Sequence, residues 1–250
     1  HDSTEGVAEA IEASTSHPRL TVIPGIELGT ANDESELHLL GYFIDTENAN
    51  MQSKLEQFRL ERVDVAKAMV GKLAELKRPI SWERVVEMAG GSVGRPHIAR
   101  AMVEAGHVET VAEAFERFLG DKGVARVPRP KLLPVEALEM IHGAGGVGVI
   151  AHPRTVDKLD GLVRQLVEVG LAGIEVYAEK YASARRDSYL DLATRYDLVS
   201  CGGTDYHALG ALNEITPGSN GPSPDTASQL LERATTTHGE NVGCVPVGLT

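Results

Sequence analysis

The stretch that decides the fold is LVSCGGTDYH, residues 198–207. Its first four residues are almost entirely apolar, which is typical of a strand buried on both faces of a sheet. The two glycines that follow permit a sharp turn. Asp205 and His207 come next, two residues apart, so an extended chain would direct both side chains to the same side. This pattern predicts a metal or acid–base site at the open end of an α/β barrel, whereas the alternative is a loop with an Asx-turn and a solvent-facing histidine.

Strands and helices alternate along the rest of the chain. Apolar segments predict four further strands, at residues 20–28, 37–44, 147–151 and 174–177. Alternation of strands with amphipathic helices is typical of the α/β class. From residue 50 to residue 125, however, only helical patterns occur. We therefore predict one barrel made of residues 1–49 and 126–250, with residues 50–125 inserted as a helical subdomain over the active site.

The composition limits the function classes. The chain has 250 residues, of which 42% are hydrophobic and 4% aromatic, so aliphatic side chains must form most of its core. A formal charge of −12 argues against non-specific binding to a nucleic-acid backbone, which depends on lysine and arginine. Two cysteines give no disulfide framework. Apolar runs stay shorter than the roughly 18 to 20 residues that span a bilayer, and the start does not resemble a signal peptide, so we expect a cytoplasmic protein without a membrane partner.

Histidines and carboxylates begin the chain and follow or interrupt its predicted strands. They are His1, Glu27, His38, His152, Asp205 and His207. Glu27 could simply form a salt bridge, and His38 could be a hydrogen-bonded core histidine. His152 precedes a proline, which predicts an extended backbone at that position. If the six side chains meet, mixed imidazole and carboxylate ligands favour Mn²⁺, Fe²⁺ or Zn²⁺, and their number favours two or three ions that promote in-line hydrolysis of a phosphoryl group.

The other basic residues divide into a cluster and a set of isolated histidines. The segment GRPH at residues 94–97 begins a predicted helix, and a helix N-terminus beside Arg95 and His97 favours anion binding. Arg126 and Arg129 lie in the proline-rich segment that returns from the insertion. This local positive charge indicates a phosphate site, although solvated loop charges are the alternative for each residue. We interpret four histidines at helix ends or in polar stretches as surface residues: His17, His107, His142 and His238.

Several short segments match one known family in its own order. They are HDST at residues 1–4, PGIE at 24–27, LHLLGY at 37–42, GRPHIA at 94–99, AGG with AHP at 144–146 and 151–153, GIEV at 173–176 and GGTDYH at 202–207. The chain thus resembles the PHP (polymerase and histidinol phosphatase) superfamily, and most closely its stand-alone phosphoesterases that act on nucleotides and RNA ends. The resemblance implies a distorted (β/α)7 TIM-like barrel with an inserted helical subdomain.

The resemblance also implies a trinuclear metal site, commonly of manganese, iron or zinc. Its ligands would be His1, Glu27, His38, His152, Asp205 and His207, with Arg95 and His97 facing the substrate phosphate. Two features depart from the family pattern. The usual His-x-His motif is absent from the sequence, and the tail at residues 245–250 looks like the strand that normally leads into His1. We therefore expect the tail to form a strand that ends near His1.

Together these features predict a metal-dependent phosphoric ester hydrolase. We expect it to hydrolyse phosphomonoesters of nucleotides, such as nucleoside 3′,5′-bisphosphates or mononucleotides, through a metal-activated hydroxide. The predicted catalytic residues are Arg95, His97 and His207, and the predicted phosphate-binding residues are Arg95, His97, Arg126 and Arg129. The expected partner is a small phosphorylated nucleotide or a short nucleic-acid end, with no obligate protein partner. The alternatives are a 5′–3′ exonuclease on short RNA or DNA, a histidinol phosphatase, and a PHP module that has lost catalysis and serves as a structural or interaction domain.

Overall fold

The chain forms two compact units. The computed structural model describes residues 1–31, 36–89, 93–120, 122–128, 132–153, 158–178, 183–206 and 216–249. One unit comprises His1–Ser53 and Lys131–Thr250, and the other comprises Lys54–Pro130. The first is a mixed α/β structure built on a sheet, and the second is helical over its described part. Each has its own buried apolar core.

Five strands form the sheet of the first unit. They are β1 (Gly25–Ala31), β2 (Glu36–Tyr42), β3 (Val147–Ala151), β4 (Gly173–Tyr177) and β5 (Val199–Gly202). They lie side by side in chain order; β1 and β3 both run antiparallel to β2, whereas β3, β4 and β5 are mutually parallel. The predicted α/β class is confirmed. In the described ranges the sheet is open, with β1 and β5 at its edges, and its antiparallel β1–β2 hairpin differs from the all-parallel strands of a TIM barrel.

Helices account for much of the remaining chain. In order they are α1 (Val7–Ser14), α2 (Ala49–Glu75), α3 (Trp82–Ala89), α4 (Arg95–Glu104), α5 (Val111–Ala114), a π-helix (Phe115–Leu119), α6 (Pro134–Gly143), α7 (Leu159–Glu168), α8 (Ser183–Arg195), α9 (Thr226–His238) and a 3₁₀ turn (Gly239–Asn241). α2 is the longest at 27 residues. Neither it nor any other helix of the described ranges is long and apolar enough to cross a membrane.

The two faces of the sheet are covered by different helices. α6 packs against β1, β2 and β3. Gly148 permits its close approach, because a Cβ atom there would lie 2.3 Å from Leu138 Cδ1. The neighbouring Val147 and Val149 face the other way, since alternate residues of a strand point to opposite faces. They share a buried cluster with Leu230 of α9 and with Val199 and Cys201 of β5. The strand registers place Glu27, His38 and Glu175 on this same second face.

The second unit has a core of side chains contributed by successive helices. Fully buried members come from α2, α3, α4 and the π-helix: Leu73, Val85, Ile98, Met102 and Leu119. The π-helix continues α5 without a break. Such wide turns inside a helix are rare and frequently lie at functional sites. The described residues of this unit contain no strand.

The tail after α9 is held to the rest of the first unit through backbone hydrogen bonds. Gly243 N–H donates to Gly145 O at 3.0 Å, and Cys244 N–H donates to Phe43 O at 2.9 Å. A Cβ atom at Gly243 would lie 2.2 Å from Asp45 N, so a side chain does not fit there. Beyond this point the described residues 245–249 form a turn, with Val247 fully exposed. The strand predicted over residues 245–250 is therefore wrong for these residues.

Candidate metal centre

Glu27 lies at the centre of a cluster of imidazoles on one face of the sheet. In the register of β1 and β2, His38 pairs with Gly29, which lies two residues after Glu27 on β1. Residues two apart in a strand share a face, so Glu27 and His38 are diagonal neighbours. Their side chains meet, with 2.8 Å between Glu27 Oε1 and His38 Nδ1. The hairpin alone thus brings together a carboxylate and an imidazole.

Two further imidazoles approach the same carboxylate oxygen. His152 follows β3, and its Nε2 lies 3.1 Å from Glu27 Oε1 and 3.2 Å from His38 Nδ1. His1 Nδ1 lies 3.5 Å from Glu27 Oε1. The rings of His1 and His152 stand edge-on to His38, with centroids 4.6 and 4.8 Å from it. One oxygen atom is therefore shared by three imidazoles from separate parts of the chain.

The first residues of the chain are tied to β1. Asp2 N–H donates to Glu27 O at 2.8 Å, and Gly29 N–H donates to the Asp2 carboxylate at 2.9 Å. Asp2 adopts a φ of 57°, a left-handed conformation that aspartate tolerates better than most residues. These contacts hold His1 beside Glu27.

Opposite charges stabilise each other within the cluster. Burial by itself would raise the pKa of the Glu27 carboxyl, but hydrogen bonds from His152 and His38, and their charges, outweigh burial and lower it to about 2. The hydrogen bond to Glu27 raises the pKa of His152 despite burial, and the charges of Asp205 and Glu175 act in the same direction. Glu27 therefore stays ionised at neutral pH, which suits it to bind a cation.

The backbone of His152 was predicted to be extended, and this prediction is wrong. Its φ is 25°, which lies in the left-handed region. The His152 N–H donates to Glu175 Oε2 at 2.8 Å, across from β3 to β4. Sequence reasoning did not assign a role to Glu175, although a glutamate inside the otherwise apolar segment Gly173–Tyr177 was a signal for one. Burial raises the pKa of the Glu175 carboxyl, the His152 N–H opposes this, and the charges of Asp205 and Glu27 add to the rise.

The stretch at residues 198–207 places the Asp205 carboxylate near His152 and Glu175. This carboxylate is close enough for its charge to raise the pKa values of His152 and Glu175. Its φ of 53° is left-handed, so the condition of an extended chain is not met at Asp205. His207, the second predicted ligand of this stretch, lies outside the described residues.

The predicted phosphate-binding residues belong to the helical unit. Arg95 is the first residue of α4; its guanidinium lies 5.9 Å from the centroid of the Phe115 ring, and its Nη1 lies 3.5 Å from Leu119 O. His97, two residues further, accepts a hydrogen bond at Nδ1 from the Gly94 N–H at 3.1 Å. Arg126 O accepts a hydrogen bond from Lys72 Nζ at 2.7 Å. Arg129 lies outside the described residues.

Three of the four histidines interpreted as surface residues have ordinary roles. His17 is exposed, His107 Nε2 contacts Pro79 O at 2.7 Å, and His238 Nε2 contacts Gly146 O at 2.8 Å. His142 differs, because its Nε2 is buried and has no hydrogen-bond partner within the described ranges. The surface prediction is therefore wrong for the Nε2 atom of His142, although the residue as a whole is half-buried, as are His107 and His238.

The cluster around Glu27 has the chemistry that a transition metal requires. Donor atoms of His1, Glu27 and His38 all lie within 4.8 Å of one another. Imidazole nitrogen with carboxylate oxygen suits Mn²⁺, Fe²⁺ and Zn²⁺ better than the oxygen-only preference of Ca²⁺. An ionised carboxylate among imidazoles also offsets the charge of a bound cation. These residues fit a divalent metal.

Comparison with known proteins points in the same direction. No family model matches the chain. The chain is 30% identical over 213 residues to the 5′–3′ exoribonuclease of Salmonella typhimurium, covering 83% of this chain and 73% of the relative. It is 27% identical over 220 residues to the 3′,5′-nucleoside bisphosphate phosphatase of Chromobacterium violaceum, covering 84% and 75%. A solved structure of a candidate metal-dependent phosphoesterase from Bifidobacterium adolescentis superposes with a TM-score of 0.80 and 32% identity, over 93% of this chain and 83% of that one.

These relatives and the carboxylate-centred cluster define a class of enzyme. The chain is a metal-dependent phosphoric ester hydrolase. Relatives named as an exoribonuclease and as a phosphatase both break phosphate ester bonds, so the shared chemistry is phosphoryl hydrolysis. The chain belongs to the PHP superfamily of phosphoesterases. The family resemblance inferred from the sequence is confirmed.

Proposed function

We propose that this enzyme is a phosphomonoesterase that acts on nucleotides, such as nucleoside 3′,5′-bisphosphates or mononucleotides. The observation that carries the proposal is the convergence of His1, His38 and His152 on Glu27 Oε1. A relative named as a 3′,5′-nucleoside bisphosphate phosphatase supports a substrate of this size. The net charge of −12 also favours a small substrate, because a long nucleic acid would be repelled over most of its length.

In this proposal six residues hold two or three divalent ions, Mn²⁺, Fe²⁺ or Zn²⁺. The ligands are His1, Glu27, His38, His152, Asp205 and His207. When bound, such ions acidify water and offset the charge of the phosphate. The chain supplies pre-oriented donors, since hydrogen bonds within the cluster fix the Glu27 carboxylate between the rings of His38 and His152. The low pKa of Glu27, about 2, keeps this ligand anionic at neutral pH.

We further propose that the first unit is part of a distorted (β/α)7 barrel and that the helical residues 50–125 lie over its active site. Membership of the PHP superfamily and the chain-ordered mixed sheet support the barrel. The proposed position of the helical residues over the active site is supported by the basic residues that the helical unit carries. Arg95 and His97 would bind the phosphate oxygens, Arg126 and Arg129 would add positive charge, and His207 would complete the catalytic group.

The local geometry of α4 supports phosphate binding by Arg95 and His97. Because His97 Nδ1 accepts the Gly94 N–H, the neutral ring carries its proton on Nε2, which can donate to a phosphate oxygen. Burial, and then the charge of Arg100, lower the pKa of His97, which favours the neutral ring. The Phe115 ring beside Arg95 restricts its guanidinium, which favours a fixed bidentate contact.

Phosphate release from a nucleoside 3′,5′-bisphosphate with added Mn²⁺ tests the proposal. Arg95→Lys should lower turnover by about tenfold or more, because lysine cannot make the bidentate contact. Its metal content should remain that of the wild type. Arg84→Lys is the matched control, since Arg84 lies in the same unit and pairs with Glu87 and Glu104 at the surface. Absence of phosphate release from every nucleotide tried, with metal bound, would contradict the proposal.

A second candidate function is 5′–3′ exonuclease activity on short RNA or DNA. The exoribonuclease of Salmonella typhimurium, at 30% identity, is the observation that favours it. The two functions differ in product, because an exonuclease releases mononucleotides while a phosphomonoesterase releases inorganic phosphate. Incubation with a short 5′-phosphorylated RNA separates them. Faster release of mononucleotides than of phosphate from a bisphosphate would favour the exonuclease.

A further inference from the structure

The dipeptide His152–Pro153 is held in an unfavourable backbone conformation. A φ of 25° is rare for any residue other than glycine. A following proline makes it less favourable still, because the proline ring pushes the preceding residue towards extended backbone. Relaxation to the polyproline conformation would rotate φ by roughly 100° and would redirect the imidazole. Strain of this kind persists only where the surroundings enforce it.

The first enforcing contact comes from Glu175. Its Oε2 accepts the His152 N–H at 2.8 Å, a charge-assisted hydrogen bond. Glu175 lies on β4, which is parallel to β3. The register pairs Ile150 with Ile174, which are two residues before His152 and one residue before Glu175. A carboxylate in this partly buried position, facing the charges of Glu27 and Asp205, is unfavourable by itself. Its presence is explained if the His152 N–H needs this acceptor.

The second enforcing contact comes from Tyr189 on α8. This side chain is buried, and its hydroxyl donates to Pro153 O at 3.2 Å. α8 packs against β4, the strand that carries Glu175. The dipeptide is therefore fixed at both ends, at the N–H of its first residue and at the C=O of its second, by two side chains from one β/α pair.

We propose that Glu175 and Tyr189 are positioning residues that hold the strained His152–Pro153 dipeptide, so that the His152 imidazole reaches Glu27 and His38. The distances from His152 Nε2, 3.1 Å to Glu27 Oε1 and 3.2 Å to His38 Nδ1, depend on this orientation. The consequence for metal binding rests on the proposed ligand role of His152. Neither side chain needs to touch the metal or the substrate to have this effect.

Substitutions at Glu175 separate backbone positioning from a direct effect of charge. Glu175→Gln keeps a carbonyl oxygen that can accept the His152 N–H, whereas Glu175→Met keeps the side-chain length and removes the acceptor. The affinity of the metal-free protein for Mn²⁺ is measured by competition with a chromophoric chelator. We expect Glu175→Met to weaken it by about 10- to 100-fold, as for other partners of metal ligands, and Glu175→Gln to weaken it by no more than about threefold. Glu168→Gln, at an exposed position of α7, is the control.

Several outcomes would overturn the proposal. Equal losses of Mn²⁺ affinity in Glu175→Gln and Glu175→Met would show that the charge of Glu175 matters rather than its hydrogen bond. An unchanged Mn²⁺ affinity in Glu175→Met would show that Glu175 does not position His152. Tyr189→Phe provides an independent test that preserves the buried ring, with an expected loss of about 3- to 10-fold. Its control is Tyr196→Phe, because the Tyr196 hydroxyl contacts Asp160 at the surface. An unchanged Mn²⁺ affinity in Tyr189→Phe would show that Tyr189 is not needed to hold the dipeptide. These measurements use no substrate, so their failure is distinct from a failure of the wild type to release phosphate.

Discussion

Two pairs of histidines lie at opposite ends of β3. His38 and His152 meet at its carboxyl end, with ring centroids 4.8 Å apart and planes at 80°. His142 and His238 meet at its amino end, with centroids 5.6 Å apart and planes at 76°. The ring geometry is nearly the same, but the neighbours differ. The first pair shares the Glu27 carboxylate, whereas the second contacts the backbone of Gly146 and Gly170.

The Glu27 carboxylate gives the first pair an electrostatic environment that the second pair lacks. Glu27 raises the pKa of His152. By contrast, burial lowers the pKa of His142, and the charge of His238 lowers it further. His152 can therefore hold positive charge, which a metal ion can replace, while His142 favours a neutral ring. Proximity of two imidazoles therefore does not make a cation site; the shared anion does.

The largest expected effect comes from removing that anion. Glu27→Gln should abolish metal-dependent phosphate release, with a loss greater than the roughly 10- to 100-fold seen for residues that only support a ligand. Metal content should fall in parallel, because a neutral amide does not offset the charge of the ion. Assay of turnover and metal content after dialysis measures both. Glu47→Gln, at an exposed position of the same unit, is the control. Full metal content in Glu27→Gln would contradict the conclusion that the shared anion makes the cation site.

A smaller effect is expected at the second pair. His238→Phe removes the hydrogen bond to Gly146 O, so the free energy of unfolding should fall by about 1 kcal/mol. Turnover should change by less than about twofold, because this pair is separated from the first by five strand residues, roughly 16 Å. Urea denaturation and phosphate release measure the two quantities. A large loss of turnover without loss of stability would show that the second pair also serves the reaction.

The smallest effect is a pH dependence. The pKa of His142 lies below its ordinary value of 6.5, so the unfolded chain takes up a proton at higher pH than the folded chain does. The contribution of His142 to the free energy of unfolding is therefore fully present above about pH 6.5 and is lost as the pH falls below that value. His142→Leu should make the decline in unfolding free energy between about pH 7 and pH 5 shallower. His17→Gln, at an exposed histidine, should leave the decline unchanged; equal slopes for wild type and His142→Leu would contradict the assignment.

Much of the local structure is predictable from the sequence, because it follows from local patterns of apolar residues. The apolar segments at residues 37–44 and 147–151 predict β2 and β3. Strand ends also indicate that Glu27, His38 and His152 lie near one another, since parallel or hairpin strands bring their ends to a common edge.

The remaining features depend on contacts between distant residues. Proline chemistry predicts extended backbone at His152, but the acceptor on Glu175, 23 residues away, enforces the opposite. His142 lies at a helix end, where solvent exposure is the reasonable expectation, yet the Gly170 backbone covers its ring. Pairing direction is also not encoded in strand periodicity, because a strand has the same alternation in a parallel or an antiparallel sheet.

The β1–β2 register has a consequence for how this segment can change during evolution. Glu27 and His38 share a face because Glu27 lies two residues from Gly29, the residue that pairs with His38. Exchange of one apolar residue for another leaves this register unchanged. Loss or gain of a single codon within either strand would shift the pairing and turn one of the two side chains towards α6. Single-codon insertions and deletions in this hairpin should therefore be eliminated by selection even where the protein still folds.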